Sequence, residues 1–158
     1  MKTLAVLETR REDLARRLSA LTARGGARVL GAYRAQTLAG LAPEILLVSP
    51  GYSERGAAGR ELTCGTLLLP GWAETPDFAA KSVVTYGMSP RDTLTLSSIG
   101  APRGVVSLQR EVMTADGELL DMQELIIRGD AGADELLAVT GGLLLLGLTP
   151  GEWTYTTS

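Results

Sequence analysis

Histidine is absent from this chain. That removes the Ser-His-Asp and Cys-His relays, histidine-held zinc or iron, and the one side chain whose ordinary pKa suits proton shuttling near neutrality. Cysteine occurs once, at Cys64, so neither an internal disulfide nor a cysteine-rich zinc site can form. Aromatic residues make up only 4%, which predicts an aliphatic core. Cations are outnumbered, 15 Lys and Arg against 18 Asp and Glu, and phosphate recognition depends on clustered cations, so nucleic acid is not an expected partner. The longest apolar run, Leu136 to Leu148, is broken by Thr140, Gly141, Gly142 and Gly147 and is too short to span a bilayer. Met1 to Glu8 holds one basic residue and a brief apolar run, unlike a secretory leader. No membrane association and a cytoplasmic location are the resulting expectations.

What is present reads as one domain over residues 1–158, of α/β class. The expected architecture is a mostly parallel three-layer sheet with an appended antiparallel hairpin section and a C-terminal apolar helix. Thr3 to Leu7 reads as a first strand. Thr9 with Glu12 has the spacing of a capping box, and Leu14, Leu18 and Leu21 follow as one helical stripe with arginines covering the other side. Gly25-Gly26 ends that helix. Arg28 to Tyr33 reads as a strand, Ala35 to Leu41 as a short helix stopped by Pro43, and Glu44 to Ser49 as a buried strand. The β-α-β-α-β alternation implies a parallel sheet with right-handed crossovers.

Pro50 to Glu61 carries three glycines and no periodicity, the signature of a long loop. Gly51 and Gly56 have phosphate-loop spacing, but Ala57 and Ala58 stand where the lysine and the metal-binding hydroxyl must be. Leu67 to Leu69 is a further short strand, and Thr75-Pro76-Asp77 can open a turn of helix through Phe78 and Ala80. Ser82 to Gly87, β-branched and ending at glycine, reads as a buried strand delivering its loop to a site. From Asp92 to Ile99 the chain alternates, with Leu94 and Leu96 on one face. Val105 to Met113 and Leu119 to Ile127 read as two long strands joined through Asp116-Gly117, a hairpin signal. Asp130 can cap the last helix, apolar nearly all round and stopped by Gly147 before Pro150. Trp153 to Ser158 has strand character and suits a sheet edge or a neighbouring chain.

Taken together, Cys64 to Trp153 resembles the second half of the ATP-binding central domain of the Mur ligases, the family that includes the folylpolyglutamate synthases. The features are Gly65-Thr66-Leu-Leu-Leu69, Val83-Val-Thr-Tyr-Gly87, the hairpin about Asp116-Gly117, Gly129, and the helix Leu136 to Leu148 before Pro150. Residues 1–60 match only as a general β-α-β pattern. The family's Asn-x-Asp loop is replaced around Pro70 and Trp72, and its His-Asn-x-x-Asn element by Ala131, Gly132 and Glu135. With the phosphate loop also missing, the resemblance implies a scaffold that kept the fold and lost ATP-dependent ligation. It would be a non-catalytic binding or assembly module linked to cell-envelope synthesis, with no cofactor, no expected ATP, and a protein partner or self-association. The apolar last helix and the β-rich segments motivate the self-association, since both need more cover than a truncated domain supplies.

Two alternatives stand beside it. One is a nucleotide or small-anion sensor at the Gly51–Arg60 loop, with Tyr52, Arg55 and Arg60 as the ligand-binding residues. The other is a thiol enzyme using Cys64, set against a plain buried strand cysteine. Asp116, Glu118, Asp121 and Glu124 read as solvated hairpin positions. Asp130, Asp134 and Glu135 are candidates for a metal cation, set against ordinary complements to a helix dipole. No catalytic or metal-ligating residue is assigned.

Overall fold

Leu4, Ala5, Val6 and Leu7 are all fully buried, as a strand is when both faces of its sheet are covered, and they form β1, Thr3–Leu7. The computed structural model describes residues 1–52, 62–73, 78–100, 103–128 and 132–148. β1 pairs in parallel with β2, Arg28–Ala32, on one side and with β3, Ile45–Val48, on the other. β4, Leu62–Pro70, and β5, Phe78–Tyr86, continue the parallel run. β6, Leu94–Gly100, meets β5 in parallel only at Tyr86 with Leu94, so it starts where β5 ends. β7, Arg103–Leu108, and β10, Gln123–Arg128, then pair antiparallel. The order of the eight-stranded sheet is β10-β7-β6-β5-β4-β3-β1-β2. This is the expected mostly parallel α/β sheet with an antiparallel section appended.

The two faces are covered unequally. On one face α1, Leu14–Leu21, and α2, Ala133–Leu145, pack Leu14, Leu18 and the leucines of α2 onto Leu4, Val6, Leu47, Leu68 and Leu94. On the other, a 3₁₀ turn at Ala35–Leu38 lays Ala35 and Leu38 over Ala5, Leu7, Leu46 and Val48. The turn is shorter than the helix expected to Leu41, since Gly40 and Ala42 both take positive φ.

α2 is buried at every residue from Leu136 to Leu146, and burying each leucine is worth about 2 kcal/mol over leaving it exposed. Glycine at 141 lets the helix sit on the sheet: a Cβ there would lie 2.9 Å from Leu68 Cδ2 and Leu94 Cδ1. The helix ends in a Schellman motif, with Gly147 N–H donating to Leu144 O and Leu148 N–H to Leu143 O. Its cover comes from its own chain. The helix that motivated the expectation of self-association therefore offers no apolar face for it.

Further expectations are corrected. Phe78 and Ala80 are not helical: they lie on β5, registered with Leu62 and Cys64, and all four join the same apolar cluster; Thr75 to Asp77 lie outside the described residues. The two long hairpin strands are each broken in two. Only β7 and β10 stay in the main sheet, while β8, Val112–Met113, and β9, Leu119–Leu120, form a separate two-stranded sheet. The break lets the hairpin tip fold over the end of α2. Val112 enters the core, Ala115 N–H donates to Leu145 O at 2.8 Å, and Lys2 Nζ reaches Asp116 at 2.6 Å and Leu146 O at 2.8 Å. Finally, the cap position of α2 is Gly132, not Asp130, which lies outside the described residues.

Candidate functional site

From β1 the chain passes through α1 to β2 on one side, then returns past β1 to place β3 on the other. In a parallel sheet this reversal opens a crevice beyond the carboxyl ends of the two strands that flank it, and such crevices are where α/β proteins commonly bind ligands. Here a crevice of about 520 Å³ lies there, walled by Arg11 to Leu14 and Arg17, by Pro50 after β3, and by Gly132 to Glu135 at the start of α2. Two helix starts thus face one space.

The start of α1 is already filled. Glu8, the residue after β1, is 4% exposed, and its carboxylate accepts from Leu14 N–H at 2.8 Å and Ala15 N–H at 3.0 Å. These are the donors with which a helix start would hold a ligand phosphate. Burial pushes the Glu8 carboxyl above its ordinary value; the bonds from Ala15 and Leu14 restrain that rise, and the charges of Glu12 and Asp13 add to it. Glu12 makes the second closure. It accepts from Thr9 N–H at 2.9 Å, as a capping box requires, and also from Ser49 Oγ at 2.6 Å and Gly51 N–H at 3.1 Å. Thr9 itself does not cap, because α1 starts later, at Leu14, with Glu8 supplying the acceptors. The signal for this was an acidic residue directly after the first apolar strand and six places before the helix.

Beneath the crevice, the strand ending Tyr86-Gly87 delivers a phenol. Tyr86 is fully buried and donates to Val48 O at 2.6 Å, tying the end of β5 to the end of β3. Burial, then the charges of Glu12 and Asp134, hold its hydroxyl protonated well beyond the ordinary tyrosine range. It is a strut rather than an acid or base. Trp72 stands edge-on to it at 6.3 Å. Next to them Asp92, 5% exposed, accepts from Ser89 N–H at 3.0 Å and fills the space that a side chain at Gly71 or Gly87 would need. The glycine of Tyr-Gly is there to admit this carboxylate.

Of the residues expected to bind ligand, Tyr52 is half-buried and packs against the second apolar cluster; Arg55 and Arg60 lie outside the described residues. Gly51, the first glycine of that loop, has its N–H taken by Glu12. Cys64 is buried in the same cluster, and burial alone pushes its thiol up to about 11. A thiolate is therefore scarce at neutral pH. Asp116, Glu118, Asp121 and Glu124 are exposed, as read. Asp134 and Glu135 do reach the crevice, and Glu135 stands 3.6 Å from Arg17 Nε, linking the two helices. Among the described residues no three His, Cys, Asp or Glu side chains are grouped to hold a metal ion, and no helix is long and apolar enough to cross a membrane.

Comparison with known proteins finds no matching family model, no matching curated protein and no matching solved structure.

Proposed function

We propose that this chain is a non-catalytic binding module whose crevice between the starts of α1 and α2 takes a small ligand bearing positive charge. The observation that carries the reading is Glu8. At the position where a nucleotide would offer phosphate to the first helix, the protein places its own carboxylate, so a triphosphate meets occupied donors and a repelling charge. Around the rim Glu12, Asp13, Asp134 and Glu135 outnumber Arg11 and Arg17, a balance that favours an ammonium or guanidinium group over an anion.

Kinship with the Mur-ligase central domain belongs to the same proposal. Apart from Gly129, which lies outside the described residues, the motifs of the resemblance fall on β4, on β5 with its Tyr86-Gly87 end, on the β8–β9 hairpin and on α2, in that order, and this supports a scaffold that kept its layout while its first helix start was closed. On that kinship rests the link to cell-envelope synthesis.

The test is calorimetry and thermal-shift titration of the purified chain with spermidine, arginine, inorganic phosphate and magnesium-ATP. A saturable response to a cationic probe, abolished by combining Asp134→Asn with Glu135→Gln, is expected, with no response to phosphate or magnesium-ATP. A magnesium-dependent ATP shift would overturn the reading and favour the anion-sensor alternative at Gly51–Arg60.

A further inference from the structure

Among the described residues the sheet has two edges, β2 and β10, each with a strand on one side only. Natural edge strands usually discourage pairing with another chain by lysine, proline, a bulge or shortness. β10, Gln-Glu-Leu-Ile-Ile-Arg, has six residues, no glycine, proline or lysine, and an unbroken register with β7. Leu125 and Ile127 face the core, whereas Ile126 between them is 56% exposed.

We propose that β10 is a self-pairing edge, by which two copies of this chain join antiparallel about a two-fold axis at Ile126 to make one continuous sheet. The sequence of the strand fits its own reverse in this register. Ile126 meets Ile126 of the other copy on the open face, Leu125 meets Ile127 on the core face, and position 124, a glutamate, stands across from position 128, an arginine, twice by symmetry. Centring instead on Leu125 sets glutamate against isoleucine, and centring on Ile127 leaves it beyond the end of β10 with no strand position opposite. β2 has no such register: about Leu30, Arg28 meets Ala32 and Val29 meets Gly31. This dimer does not depend on the ligand reading, since β10 contributes nothing to the crevice lining.

Sedimentation velocity on the full chain from micromolar to millimolar concentration tests it. The wild type should run as a dimer of twice 16.6 kDa. Glu124→Arg alone, Arg128→Glu alone and Ile126→Lys should each weaken dimerisation by about tenfold or more, and the double reversal Glu124→Arg with Arg128→Glu should restore it. Circular dichroism confirms that each variant is folded, which the exposure of Glu124 and Ile126 favours. A wild type that stays monomeric at millimolar concentration overturns the proposal. So does a dimer indifferent to these changes, or one that the double reversal fails to restore. Spermidine binding by the monomeric Glu124→Arg variant should be unchanged, which separates failure of the dimer from failure of the ligand reading.

Discussion

The two helices that meet at the crevice begin in opposite ways. α1 starts against a buried carboxylate, Glu8, that satisfies its first donors. α2 starts at Gly132, which has no side chain to cap with, and relies on Asp134 and Glu135 in its first turn. One start is closed by the protein and the other carries only the charge that suits its dipole. A helix start is therefore not a ligand site by position alone; what the preceding strand places against it decides.

Closing and opening these starts should give measurable effects. The largest is expected from Glu8→Ala, which strips the acceptors from buried N–H groups and should lower stability by about 2 kcal/mol in denaturant unfolding. Next, Glu8→Gln should lower it by about 1 kcal/mol, because an amide offers one oxygen where the carboxylate offered two. The Gln variant should also remove a pH dependence. With its folded pKa raised, Glu8 holds more proton in the native state than in the unfolded one just above pH 4.5. Its contribution to stability is thus greatest at low pH and falls as pH rises through the raised value. Unfolding midpoints measured from pH 4 to pH 8 should show this decline in the wild type and not in Glu8→Gln.

For the open start the sign reverses. Gly132→Ser should give α2 a side-chain cap and raise stability by only a few tenths of a kcal/mol, glycine being itself a tolerable cap. Smallest of all, Arg17→Met should lower stability by about 0.2 kcal/mol, since the pair with Glu135 is long and partly solvated.

The alternation of apolar runs with helical stripes made the parallel pairing, α1, β6 and the buried α2 readable in advance. Asp116-Gly117 likewise marked its turn, where Gly117 takes φ of 84°. What failed was local grammar overruled from a distance. Thr9 and Glu12 form the expected pair, yet α1 takes its acceptors from Glu8, whose side chain could only be placed once β1 was known to be buried. Phe78 and Ala80 followed Pro76-Asp77, a fair helix opening, but their partners Leu62 and Cys64 lie on another strand. The crevice itself escaped because it depends on which side of β1 each neighbour takes, and no stretch of residues encodes that by itself. Of the glycine-rich stretch after β3, Pro50 lies in the crevice wall.

Asp92 ties three positions into one heritable unit. Its carboxylate sits where any side chain at 71 or 87 would go, so Gly71→Ala or Gly87→Ala should each be severe alone, and milder in a chain that already carries Asp92→Gly. The dependence runs one way: a side chain at 71 or 87 needs the Asp92 carboxylate gone first, whereas loss of that carboxylate leaves both glycines unstrained. Asp92 therefore holds the permission for change at the other two positions.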